Sequence, residues 1–296
     1  MVSTLRVMTL NIGSLLEPHW DERRHEIVSW IDHLAPDVVC LQEVCERPDR
    51  PNTAEWLAGS ADGQWYAGSG LHPLDPTMFG GTPQDGPIEF GSAVLSRWPI
   101  DEQHLLRLDT VGEGFASAFP WEAFHARTAG LDVVSTHLAA APTDGHHRRR
   151  QVVQLDAWIR ELRGAADDLD FSRPRTAMPA ILCGDFNAEP DSDEIRYLRG
   201  FTDLDGGRTF WQDAWSTAGT GGAGLTQDWM LNDYAAGMNI HRKRIDYVFV
   251  GDTFLRPDGT GRVISAEVVC DTNRTGISAS DHFGLLVEIQ WPGRPS

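Results

Sequence analysis

Positive charge is in short supply in this chain. Its 25 lysines and arginines face 43 aspartates and glutamates, a formal net charge of −18. A field of that sign repels polyanions and leaves no broad electrostatic footprint for duplex nucleic acid. A small phosphorylated ligand is not excluded, because a cation and a few arginines reverse the sign locally. Long apolar runs are lacking as well, and none approaches the roughly 20 residues that a membrane-spanning helix needs. Cysteine is sparse. Cys40, Cys45, Cys183 and Cys270 have neither the spacing of a disulfide framework nor that of a paired CxxC zinc site. Cys40 and Cys183 sit inside apolar runs and are expected as buried free thiols, which fits a cytoplasmic location. The opening MVSTLRVMTLNIG lacks a basic region, an apolar core and a small-residue cleavage site, so it reads as a first strand. Nothing resembles a flexible linker, and 41% hydrophobic with 23% charged residues is ordinary for a globular protein. One domain over residues 1–296 is expected.

What is present is a series of short β-rich runs. LRVMTLNI (5–12), DVVCLQEV (37–44), GSAVLSRW (91–98), LDVVSTHL (131–138), AILCGD (180–185), RIDYVFV (244–250) and LLVEIQW (285–291) read as strands. Helices are expected over Asp21 to Leu34, over Gly145 to Leu162, and briefly over Asp191 to Leu198 with a capping Asp or Ser. Several strands are apolar throughout, as in sheets covered on both faces, so layered sheets and helices are expected. Gly/Pro-rich stretches at 68–91, 112–120 and 216–224 read as loops.

Polar groups terminate these apolar runs repeatedly. Asn11 closes the first, Gln42 and Glu43 the second, and His137 the fourth. Asp185 and Asn187 follow ILCG, Asp246 lies in RIDY, and Asp281 and His282 precede the last strand. One such placement is unremarkable; six, all carboxylate, amide or imidazole, point to a shared pocket at one sheet edge. Hard divalent cations such as Mg²⁺ take oxygen ligands and keep several waters, so one or two carboxylates suffice. Glu43 is the best candidate ligand, with Asn11 helping directly or through water. His137 and His282 suit donation to phosphoryl oxygens as charge builds up. Asp185 suits orienting or deprotonating a water, Asn187 holding the phosphoryl group, and Asp246 fixing the His282 tautomer.

The segments TLN, LQE, LSRWPI, STHL, GDFN, RIDYVFV and SDHFGL occur in the order seen in the endonuclease/exonuclease/phosphatase family, which this chain resembles from about residue 5 to about residue 290. That resemblance implies an α/β (α+β) four-layer sandwich: two packed mixed β-sheets flanked by helices. It implies hydrolysis of a phosphoester P–O bond with Mg²⁺ or Mn²⁺. By motif, Asn11 and Glu43 would face the metal and His137 would contact the phosphate. Asp185 and Asn187 would align the water and the phosphoryl oxygens. Asp246 would pair with His282, and Asp281 would lie near the metal or hold a metal-bound water.

Other features have plainer readings. The HHRRRQ run at 146–151 reads as a solvated helix face, with His146 and His147 at the surface. HRKR at 241–244 lies nearer the site, making Arg242 and Arg244 candidate substrate contacts. Arg97 is expected to pair with an acid. Trp20, Trp30 and Trp158 read as core anchors, whereas Trp211, Trp215 and Trp229 could wall a binding site, as could His72, Met78 and Phe79. A small-molecule, nucleotide or lipid-linked phosphoester is favoured as substrate over DNA or RNA because of the charge. A non-catalytic binding module is disfavoured because every motif acid, amide and histidine is present.

Overall fold

The apolar runs assemble into two sheets in the computed structural model, which describes residues 3–47, 52–79, 87–167, 170–235 and 241–293. The strands among these are β1 (Thr4–Asn11), β2 (Val38–Glu46), β3 (Tyr66–Leu74), β4 (Ile88–Ser96), β5 (Ile100–Arg107) and β6 (Glu122–Thr128). They continue with β7 (Leu131–His137), β8 (Ile181–Asp185), β9 (Trp211–Asp213), β10 (Asp246–Gly251), β11 (Val263–Val269) and β12 (Gly284–Gln290). The helices are α1 (Trp20–Leu34), α2 (Thr53–Ser60), α3 (Phe115–Ala118), α4 (Gly145–Arg163), α5 (Asp193–Leu198) and α6 (Ala214–Ala218). Each sheet has six strands among the described residues, ordered β11-β12-β1-β2-β4-β3 and β5-β6-β7-β8-β10-β9. Both are mixed: β1 pairs parallel with β2 and antiparallel with β12, and β8 pairs parallel with β7 and antiparallel with β10.

Side chains alternate across a strand, and here both faces are buried. Leu5, Val7, Cys40 and Val287 of the first sheet meet Val133, Ile181, Cys183 and Val248 of the second. The outer face of the first sheet, with Met8, Leu10 and Val39, packs on Ile27, Trp30 and Ile31 of α1 and Leu57 of α2. The outer face of the second, with Val134, Leu182 and Phe249, packs on Val152, Leu155 and Ile159 of α4 and Ile195 of α5. This is the four-layer sandwich, and it explains why the central strands are apolar end to end.

The 68–91 stretch is not one loop. It contributes β3 and the start of β4, while residues 80–86 lie outside the described residues. Its glycines let two sheets and neighbouring strands approach closely. A Cβ on Gly91 would lie 2.0 Å from the Gly70 carbonyl oxygen, and one on Gly70 would lie 2.4 Å from Leu105. Arg97 also departs from expectation. It donates to the backbone carbonyls of Asp62 and Pro36 and lies over the Trp65 ring, rather than pairing with a carboxylate. His147 is buried, its Nδ1 accepting from the Val111 N–H, and Arg148 is buried against Glu194, so only part of the basic run faces solvent.

Candidate active site

The parity that buries Leu5, Val7, Ile181, Cys183 and Val248 between the sheets carries the strand ends into the same space. Asn11 at the end of β1, His137 at the end of β7, Asp185 at the end of β8 and Asp246 at the start of β10 project there together. Register brings them level, since Asp185 lies opposite both His137 and Asp246.

Asp185 is the hub. Its Oδ2 accepts from Asn11 Nδ2 at 3.1 Å and lies 3.6 Å from His137 Nε2 and 3.8 Å from His282 Nε2. Its Oδ1 accepts the Asn187 N–H at 2.8 Å. The extended run ends at Asp185, and Asn187 takes a left-handed φ of 48°. Asp185 and Asn187 therefore do not share strand parity; an Asx turn brings the second back beside the first. Asn187 Nδ2 then lies 3.1 Å from His137 Nε2 and donates to the Leu138 carbonyl. Gly184, at φ 152°, permits the approach, because a Cβ there would sit 1.9 Å from the Thr136 oxygen.

Glu43 reaches the group through a defect in its strand. The β2–β4 ladder shifts register between Leu41 and Val44, and Glu43 has φ 54°. A bulge of this kind re-aims a side chain. Glu43 Oε1 accepts from Asn11 Nδ2 at 3.0 Å and lies 3.9 Å from His137 Nε2. Asn11 thus turns its amide N–H bonds toward the two carboxylates, while its oxygen accepts the Gly13 N–H at 3.1 Å. In this arrangement Asn11 aligns the carboxylates. Gln42 takes no part in the cluster; it accepts from Thr9 and donates to Ser135, tying the sheets together.

His282 Nδ1 donates to Asp246 Oδ2 at 2.9 Å, and its Nε2 lies 3.8 Å from Asp281 Oδ1. Burial opposes a charged imidazole, but the surrounding carboxylates of Asp246, Asp281 and Asp185 outweigh it and hold His282 well above the ordinary histidine range. Burial pushes Asp246 up to about 6, and burial likewise raises Glu43. Asp281 is held low against its own burial, first by His282.

Two groups that no motif announced stand beside this set. Glu17 accepts the Asp281 N–H, and burial together with the Asp281 carboxylate pushes Glu17 up to about 9. Gln227 is buried with its Nε2 3.4 Å from His282 Nε2. The only signal for either was an uncharged or acidic residue in a loop, which is no signal at all.

The two arginines expected at the substrate differ. Arg244 is buried and bidentate on Asp213, an ion pair that fastens β9 to the chain before β10. It is occupied within the fold, which corrects the expectation of a substrate contact. Arg242 is about half exposed and tethered to the buried Asp228. Of the tryptophans, Trp211 is buried and donates to Asp156, Trp215 is partly buried against the inter-sheet core, and Trp229 is exposed. A hollow of about 680 Å³ between Phe171, Phe210 and Phe254 lies beyond Gly251, at the opposite end of β10 from Asp246.

The donors suit a hard cation. Glu43, His137 and Asp185 each offer one atom, all within 4.8 Å of one another, and Asp185, Asp246 and His282 do the same. Carboxylate oxygens dominate both groups, as Mg²⁺ and Mn²⁺ prefer.

An α/β sandwich with its acid, amide and imidazole groups gathered at one end of the inter-sheet space is the class of protein that these observations define. Residues 8–282 match the model of the Endonuclease/Exonuclease/phosphatase family, and the chain belongs to that family, whose members are hydrolases acting on phosphoesters. Solved structures similar to it include an endonuclease/exonuclease/phosphatase family protein from Leptotrichia buccalis, with TM-score 0.64, 17% identity, and coverage of 97% of this chain and 100% of that one. The human Nocturnin catalytic domain with bound sulfate gives TM-score 0.65 and 20% identity over 97% of this chain and 93% of that one. D. rerio TDP2 complexed with a single-strand DNA product gives 0.67 and 17% over 98% and 100%. Protein angel homolog 2 of Homo sapiens is 25% identical over 186 residues, 61% of this chain but only 31% of that protein.

Proposed function

We propose that residues 1–296 form one domain that hydrolyses a phosphoester by direct attack of water, with Mg²⁺ or Mn²⁺ as cofactor. The substrate is a small-molecule, nucleotide or lipid-linked phosphoester. The convergence of Asn11, His137, Asp246 and His282 on Asp185 from both sheets is the observation that carries the reading. Glu43 and Asp281 would hold the cation, with Asn11 aligning Glu43. When bound, the cation supplies positive charge to the phosphoryl oxygens and lowers the barrier to attack.

Asp185 accepts a proton from the attacking water, whose oxygen forms the new bond to phosphorus as the ester oxygen leaves. His282, kept protonated by its carboxylate neighbours, donates to a phosphoryl oxygen, and Asp246 keeps its ring oriented. His137 and Asn187 hold the phosphoryl group from the opposite side. Arg242 is the one substrate contact retained from the basic run. Arg242→Ala is expected to raise KM about tenfold and leave kcat within about threefold, measured by steady-state kinetics.

The fold supports a small substrate over a polyanion. A duplex binder needs several free cations, yet Arg244 and Arg148 are buried against internal carboxylates. No described helix is long and apolar enough to cross a membrane. All four cysteines are free and buried, which supports the cytoplasmic assignment.

A panel of nucleotides, inositol phosphates, sphingomyelin, plasmid DNA and RNA, assayed with EDTA, Mg²⁺ and Mn²⁺, tests this. Hydrolysis of a small phosphoester, abolished by EDTA, restored by either cation and unaffected by competing plasmid, is expected. Turnover of nucleic acid alone, with steep salt inhibition, would make the chain a nuclease. Hydrolysis of nothing would leave a binding module.

A further inference from the structure

We propose that Glu17 is a positioning residue of the cation site, occupying the place that a side chain at residue 13 would otherwise fill. The proposal rests on the cation-dependent reading of Glu43 and Asp281 above.

The local chain explains the placement. After Asn11 the backbone turns through Gly13, at φ 53°, into a short 3-10 turn over Ser14–Leu16. The Glu17 N–H bonds back to the Gly13 carbonyl at 3.0 Å, so residue 17 returns over residue 13. An ideal Cβ on Gly13 would lie 2.6 Å from Glu17 Cδ and 2.9 Å from its Oε1. The absent side chain is the cradle that the carboxyl group fills. From there Oε2 accepts the Asp281 N–H at 3.3 Å and lies 3.7 Å from Arg23 Nη1.

A carboxyl group on an exposed loop has water as its easy alternative. Here it is turned inward, only 16% exposed, onto the backbone that presents Asp281. Arg23 beneath it is fully buried and also holds the carbonyls of Ile12 and Ala279, which flank Asn11 and Asp281. Glu17 therefore joins the loop after β1 to the loop before β12, holding the backbone that carries Asp281. Groups that orient metal ligands in this way usually contribute about 10- to 100-fold in affinity.

The test is Mn²⁺ affinity, read by calorimetry or by the electron paramagnetic resonance of free Mn²⁺, with thermal melting of the metal-free chain alongside. Glu17→Ala is expected to weaken Mn²⁺ binding at least about tenfold, whereas Glu17→Gln, which keeps an oxygen to accept the Asp281 N–H, is expected to retain most of the affinity and the metal-free melting temperature. The pair Gly13→Asp with Glu17→Ala moves the carboxyl group onto residue 13, whose left-handed φ an aspartate tolerates. It is expected to recover much of the affinity that Glu17→Ala alone loses. Unchanged affinity in Glu17→Ala, or a drop in its melting temperature with no change in affinity, would reduce Glu17 to a structural partner of Arg23 and overturn the proposal. A wild-type chain that binds no Mn²⁺ would instead remove the cation site itself.

Discussion

Asp185→Asn is expected to lower kcat by about a hundredfold or more while the protein remains folded. The substitution keeps the shape of the side chain and removes its charge and basicity. It also creates a local conflict. Both carboxylate oxygens accept from N–H groups, Oδ1 from the Asn187 backbone and Oδ2 from Asn11. Whichever way the new amide is turned, its NH₂ faces a donor, costing about 1–3 kcal/mol. Release of a buried negative charge among other carboxylates offsets part of that. A melting temperature a few degrees lower, with turnover nearly gone, is the expected pair of results from a thermal melt and a saturating assay. Retention of more than about a tenth of wild-type turnover would remove Asp185 from the reacting centre.

The second large effect concerns stability. Arg23 is fully buried and donates to five backbone carbonyls: Pro18, Ile12, Ala279, Ser14 and, at 3.4 Å, Glu17. Its guanidinium also lies near the faces of Trp20 and Tyr234. Burial lowers its pKa from the free value, with Glu17 and Asp281 countering. Arg23→Met fills similar volume but strands those carbonyls and leaves the nearby Asp281 carboxylate without its cation. A loss of about 3–5 kcal/mol is expected, visible as a urea midpoint shift and a fall in melting temperature of roughly 10 °C. Arg23→Lys should recover only part, because three donors on a point charge cannot reach five acceptors. A loss under about 1 kcal/mol for Arg23→Met would show that the loop after β1 is held by other contacts.

The central strands were legible because they are buried on both faces and therefore apolar throughout, and the groups at their ends stood out against that background. The edges were not. β5, with the sequence IDEQHLLR, is exposed along most of its length and shows no apolar alternation. β6 buries Glu122 and His125 between its apolar residues, which breaks the pattern from the other side. β3 spends its glycines on close strand and sheet contacts and so imitates a loop. Arg244 was misjudged because adjacency to Asp246 in sequence is not adjacency in the cleft; the guanidinium is engaged by Asp213. Glu17 and Gln227 enter the site through a turn and a loop, which no periodicity records.

The order in which the chain supplies the groups of the proposed site decides when all of them are present. Glu43, His137 and Asp185 are present once β8 has been made. Asp281 and His282 arrive only with the segment that leads into β12, and β12 is also the strand that completes the hydrogen bonding of β1. A partly synthesised chain, or one clipped ahead of residue 281, keeps Glu43, His137 and Asp185 yet lacks His282 and the strand that completes the pairing of β1. Under the proposed function, hydrolysis would therefore require the segment that pairs β12 with β1.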